Sequence, residues 1–125
     1  DKSKAFLEFS SDQKATFDKS LITKEIIDCK TPKKISLHKA SYDDCFLLNK
    51  GGVTLNTATY SLEIASDRFK YLQIYTPPSL PLIAIEPMLG MSNSLNNDIG
   101  KQELKPGESF QISWKARVQT KNNQK

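Results

Sequence analysis

The stretch Thr59-Tyr60-Ser61-Leu62-Glu63-Ile64-Ala65-Ser66-Asp67-Arg68-Phe69-Lys70-Tyr71-Leu72-Gln73-Ile74-Tyr75 decides the fold class. Over residues 59–65, Tyr60, Leu62 and Ile64 alternate with Thr59, Ser61 and Glu63, which is the two-residue period of a half-buried strand. Ser66-Asp67-Arg68 turns the chain, and a second strand follows over residues 71–75, where Leu72 and Ile74 oppose Tyr71, Gln73 and Tyr75. Short strands of this kind with a turn signal between them read as antiparallel all-β.

The same period recurs on both sides. Residues 4–9 place Ala5, Leu7 and Phe9 on one side, and Ile35 and Leu37 alternate in a short strand over residues 35–38. Residues 110–118 give the longest alternation, with Phe110, Ile112, Trp114, Ala116 and Val118 against Gln111, Ser113, Lys115 and Arg117. Residues 10–19 are polar and read as a loop. Residues 21–28 satisfy a strand or a helical turn equally well. Thr31-Pro32-Lys33-Lys34 breaks the chain. Lys50-Gly51-Gly52 reads as a hairpin turn whose glycines take positive φ, with residues 53–56 as the returning arm. Lys105-Pro106-Gly107-Glu108 has proline and glycine where a type II turn needs them. No helix is expected, residues 88–100 read as an irregular loop, and the polar tail 119–125 is expected to fray. Short strands separated by turn signals predict an antiparallel all-β sandwich.

Length and composition limit the functional classes. With 125 residues and 38% hydrophobic content the chain is one soluble unit at most. No apolar run reaches the ~20 residues of a membrane span, and the N-terminus lacks the apolar core of a signal peptide, so no membrane partner is expected. The net charge of +4 is spread along the chain: all but Arg68 and Arg117 of the 18 basic residues are lysine. Without clustered Arg and Lys among aromatics, no nucleic-acid partner is expected. Cys29 and Cys45 without a secretory signal predict reduced thiols and a cytoplasmic setting. A single histidine, His38, argues against a metal site, and neither metal nor cofactor is expected. The chain begins Asp1-Lys2-Ser3 rather than with methionine, which fits a processed product or a piece of something longer.

Two carboxylates stand out because each borders an apolar strand beside a turn. Glu86 closes the run Leu82-Ile83-Ala84-Ile85, between prolines 77, 78 and 81 and Pro87, where the missing donor should end the strand. Asp43 opens the run Asp43-Asp44-Cys45-Phe46-Leu47-Leu48. Their bland reading is that both are solvated rim residues. His38 could shuttle protons but more often such a histidine is structural. Tyr42, Tyr71 and Tyr75 could stack on a sugar, though aromatics in strands are usually core.

Five segments in order carry a family resemblance: Tyr42-Asp43-Asp44-Cys45-Phe46, Gln73-Ile74-Tyr75-Thr76, Ile83-Ala84-Ile85-Glu86-Pro87, Asn93 to Asn96, and Leu104-Lys105-Pro106-Gly107-Glu108. Together they resemble the C-terminal part of the aldose 1-epimerase (galactose mutarotase) family. The resemblance implies that the chain is one all-β unit, the C-terminal portion of a longer mutarotase-like β-supersandwich. It implies Glu86 as the general base and Asp43 as a ligand of a monosaccharide substrate. It further implies that two catalytic histidines belong to an N-terminal half of the same fold, on the same chain or a separate one, and His38 matches neither. Where the family often has histidine after the aspartate, this chain has Asp44. The alternative of another class is a carbohydrate-binding or regulatory module that keeps the cleft without the chemistry. Glu86 and Asp43 are expected to share one cleft, and roughly seven strands with no covering helix are expected to leave an exposed edge or apolar face.

Overall fold

The computed structural model describes residues 4–31, 34–39 and 41–121. Among these are ten strands: β1 Phe6–Glu8, β2 Gln13–Phe17, β3 Thr23–Asp28, β4 Lys34–Ser36, β5 Asp43–Leu47, β6 Gly52–Asn56, β7 Tyr60–Ala65, β8 Tyr71–Tyr75, β9 Ala84–Met88 and β10 Lys115–Thr120, with a one-turn helix α1 at Ser94–Asn97. They form two five-stranded sheets, β10-β7-β6-β1-β4 and β3-β2-β5-β8-β9, with every pairing antiparallel. The all-β sandwich expected from the alternating strands is the architecture found.

The sheets meet over the residues that the two-residue period selects. Ala5, Leu7 and Phe9 from the β1 region, Val53 and Leu55 from β6, and Ile35 and Leu37 from the β4 region face Phe46 of β5 and Leu72 and Ile74 of β8. Leu7, Leu72 and Ile74 are fully buried, and the rings of Phe9 and Phe46 cross between the sheets at 5.0 Å, tilted by 55°.

Several boundaries differ from the sequence reading, each for a physical reason. Residues 13–17 form β2, an interior strand of the second sheet, because Ala15 is buried and Phe17 half-buried on one side while Lys14 and Thr16 point the other way. The ambiguous segment resolves as β3 from Thr23 onward, pairing with β2 through a register shift beside Phe17. The chain around Gly51-Gly52 is no hairpin: β5 belongs to one sheet and β6 to the other, so it crosses between layers. Neither glycine has positive φ. Gly51 is required instead by close approach, since a Cβ there would overlap the Ser66 carbonyl, which belongs to the residue whose N–H donates to the Gly51 carbonyl at 2.8 Å. The turn at Lys105–Glu108 is present, with Gly107 at φ 84 and the Glu108 N–H donating to the Lys105 carbonyl at 2.9 Å. The expected break at Thr31–Lys34 includes Pro32 and Lys33, outside the described residues.

Pro87 does not end its strand. β9 continues to Met88, with Pro87 opposite Leu72. β9 is an edge strand, so a proline there leaves no ladder bond unmade. At the other extreme, the long alternation over 110–118 becomes a strand only from Lys115, and it extends through Gln119 and Thr120 rather than fraying there. The Ser113 carbonyl is taken by the Ser66 hydroxyl at 2.6 Å, and Phe110 lies under Arg68 at 5.8 Å, so this approach packs through side chains. Every residue of β10 is exposed. Ala116 and Val118 pair with Ile64 and Leu62 and so continue the core-facing side of their sheet, yet Val118 is 64% exposed. Of the two expectations, an exposed edge or an uncovered apolar face, β10 is an exposed edge among the described residues.

Burial separates the two alternating strands in a measurable way. Leu72→Ala should destabilise the fold by about 2–5 kcal/mol through lost transfer energy and a cavity. Val118→Ala should change it by less than about 0.5 kcal/mol, as exposed substitutions do. Urea unfolding of both variants checks this, and equal effects would mean that β10 is covered in solution.

Candidate active site

The strand β5–β8–β9 part of the second sheet is apolar on both faces. Its inner face, with Phe46, Leu72, Ile74 and Ile85, meets the other sheet. Side chains alternate, so Cys45, Tyr71 and Met88 point to the outer face, where they form a second cluster with Ala15, Phe17, Leu47, Met91 and Ile99. The loop of residues 89–100 lies over this cluster and buries Met91. Two glycines close its neck: a Cβ on Gly100, at φ 74, would stand 2.7 Å from the Tyr71 ring and 2.8 Å from the Gly90 Cα. α1 sits inside the loop between Asn93 and Asp98, both in the left-handed region.

Asp43, Gln73 and Glu86 belong to this outer face by the same alternation, as neighbours of Cys45, Tyr71 and Met88. In register, Gln73 stands opposite Cys45 on one side and Glu86 on the other, while Asp43 stands opposite Tyr75. The Gln73 side-chain amide donates to Asp43 Oδ1 at 2.9 Å, a diagonal reach across the strands. Strand spacing and rise put the Asp43 and Glu86 Cα atoms about 12 Å apart, close enough for both side chains to reach one ring-sized ligand. Both carboxylates line a single cavity of about 440 Å³. Its floor is Asp43, Cys45, Gln73, Glu86 and Met88; Phe17 and Leu21 form one wall, and Gly90, Met91 and Ser92 the other. The hydroxyls of Thr23 and Ser92, 2.7 Å apart, tie the walls together.

The expectation that Asp43 and Glu86 share a cleft is met geometrically. Glu86 sits in the middle of β9 rather than at a strand end, so strand pairing on Gln73 fixes its backbone. Asp44 points to the opposite face and pairs with Lys14 at 2.9 Å. His38 is exposed beyond β4 and does not line the cleft. Tyr42 faces the inner core and its hydroxyl donates to the Ser36 carbonyl at 3.3 Å, and Tyr71 is buried in the outer cluster, so neither presents a face to a ligand. Tyr75 is exposed beside Asp43. Phe17, Leu21, Met91 and Ser92 were not singled out from sequence, because they lie in segments read there as loop or as ambiguous.

A larger hollow of about 570 Å³ lies on the other sheet, bordered by Gly51, Gly52, Ala65 and Trp114. It is a shallow depression beside edge strand β10, and its lining also includes the charged residues Lys50, Asp67 and Lys115. The cleft on the second sheet is the better candidate because it is the more enclosed of the two and its floor holds both carboxylates, with Gln73 hydrogen-bonded to Asp43. Among the described residues no group of three or more His, Cys, Asp or Glu gathers as a metal site, and no helix is long and apolar enough to cross a membrane.

No protein-family model matches this chain, and no curated protein matches it significantly.

Both cysteines are free thiols in different surroundings: Cys29 is half-buried against the inner core, and Cys45 is buried in the cleft floor. Burial, then the nearby Asp44 charge, push the Cys45 thiol up from an ordinary 9.0 to about 12, against a smaller opposing effect of the Leu72 backbone. In the native protein near pH 8, a thiol reagent should therefore titrate Cys29 quickly and Cys45 only on unfolding. The same shift makes stability fall as pH rises between 9.0 and about 12, where the unfolded chain loses this proton and the folded one keeps it. Rapid labelling of Cys45 without unfolding would show that the cleft floor is open.

Proposed function

We propose that the cleft binds a monosaccharide and that Glu86 is the general base of an aldose 1-epimerase reaction. The observation that carries this reading is the convergence of Asp43, Gln73 and Glu86 on one ring-sized cavity. In the proposed reaction the Glu86 carboxylate takes the proton from the C1 hydroxyl while an acid donates to the ring oxygen. The bond between C1 and the ring oxygen breaks, the C1–C2 bond rotates, and reclosure on the other face inverts the anomeric centre. Asp43, held by Gln73, accepts a charge-assisted hydrogen bond from a ring hydroxyl and orients the sugar.

The lining supports a neutral sugar over a phosphorylated one. It holds two carboxylates and no cation, and the ammonium of Lys14 is engaged by Asp44 on the far face. The resemblance of five ordered segments to the mutarotase family points to the same chemistry. The acid is assigned to a histidine from an N-terminal half of that fold, covalent or separate, since His38 is outside the cleft. The free thiols support a cytoplasmic protein. One observation favours a second reading: with no histidine lining the cleft, the chain by itself fits a carbohydrate-binding module that does not turn its ligand over.

Polarimetry of freshly dissolved α-D-glucose and α-D-galactose, beside sugar affinity by calorimetry, separates these readings. With the acid-bearing half present, Glu86→Gln should lower the rate by about 10²–10⁴, because glutamine keeps the shape but cannot accept the proton. Its affinity should change by only about 1 kcal/mol. Asp43→Asn should act mainly on affinity. A Glu86→Gln protein as fast as wild type would remove the base assignment, and binding without any acceleration would establish the module.

A further inference from the structure

The connection between β2 and β3 holds a leucine where its backbone disfavours one. Asp18 closes this turn with both its backbone and its side chain. Its N–H donates to the Ile22 carbonyl at 3.0 Å, and its carbonyl accepts from the Leu21 N–H at 3.1 Å. Its Oδ1 accepts the Ser20 N–H at 2.8 Å and the Ile22 N–H at 3.0 Å. The result is a three-residue hairpin loop, Lys19-Ser20-Leu21, whose last position is left-handed and is normally filled by glycine or asparagine. Leu21 occupies it at φ 60. An L residue there stands against a steric penalty that burial could offset, but Leu21 is 62% exposed. Folding therefore gains little from this side chain. It lines the cleft beside Phe17, in the same cavity as Asp43, Gln73 and Glu86.

We propose that Leu21 is a positioning residue of the cleft, held by the Asp18 turn so that its side chain, with Phe17, seats the apolar C–H face of the bound sugar ring. This rests on the sugar reading of the site. A pyranose is amphipathic: its hydroxyls project around the rim and its axial C–H bonds make an apolar face. A carboxylate floor alone binds the rim and leaves the ring free to tilt, whereas an apolar wall fixes which face turns toward Glu86. The Thr23–Ser92 hydroxyl contact at the base of the hairpin sets the wall against the 89–100 loop.

The test is an NMR titration of the folded chain with D-glucose and with D-galactose, following leucine methyl groups and the backbone amides of Asp43, Gln73 and Glu86. The Leu21 methyl signals should shift and saturate with the same Kd as those amides. Leu21→Gly and Leu21→Asn should raise Kd by about five- to tenfold, the worth of roughly 40 Å² of apolar contact. Their Tm should be unchanged or higher, because both residues accept the left-handed backbone, and Leu21→Met should restore most of the affinity. Cleft amides that saturate with sugar while the Leu21 methyls stay still, with Kd unchanged in Leu21→Gly, would overturn this role and leave the sugar site standing. A titration that shifts neither set would overturn the sugar site and the role together.

Discussion

The fold depends on one sheet having to be buried twice. In β8, Leu72 and Ile74 are fully buried against the other sheet, and Tyr71, directly before them in the chain, is buried on the opposite side. A strand that alternates strictly between core and water needs a cover on one face only; this one needs two. The second cover is the 89–100 loop, anchored by Met91 and admitted close to Tyr71 because Gly90 and Gly100 carry no side chains. The loop covers Cys45 and Tyr71 but not the far ends of β5 and β9. Asp43 and Glu86 emerge where the cover stops. The cleft is thus the unfilled remainder of a face that is otherwise core.

That origin explains why the floor is rigid and the walls are not repeats of it. Asp43, Gln73 and Glu86 stand on paired strands whose inner neighbours are packed between sheets, so their backbone positions are fixed by the core. The walls come from a hairpin tip and a loop, where side chains can vary without disturbing the sandwich. Lys101 reinforces the loop's exit by hydrogen bonds to Asp98 and to Glu103, which raise its pKa and keep it charged.

Strands whose two faces differ were legible in sequence, and those whose environment is set elsewhere were not. Residues 60–65 announced themselves because Leu62 and Ile64 alternate with polar Ser61 and Glu63, and residues 71–75 because Leu72 and Ile74 flank Gln73, although Tyr71 is buried on the outer side. β2 stayed hidden because its buried side offers only Ala15 and a half-buried Phe17, too little apolar mass to show among polar neighbours. The stretch 110–118 misled in the opposite direction. Its alternation is the clearest in the chain, yet its strand is an edge that nothing in the described residues covers. Pro87 and Gly51 were read by their commonest meanings, a strand stop and a turn. Each means something else here because of location, an edge in one case and a tight crossing in the other. For the site, Asp43 and Glu86 could be found because carboxylates beside apolar runs are conspicuous. Leu21 could not, since its significance lies in a backbone angle.

The placement of Glu86 on an edge strand then has a physical consequence. A central strand would have neighbours on both sides and would crowd the outer face with a further row of side chains. On β9 the carboxylate has Gln73 on one flank and open space on the other. Pro87 makes that exposed edge tolerable, because removing one outward N–H weakens its ability to template another chain's strand. The proline that sequence reasoning took for a terminator thus protects the free edge beside the carboxylate, which stays accessible while its strand remains in the sheet.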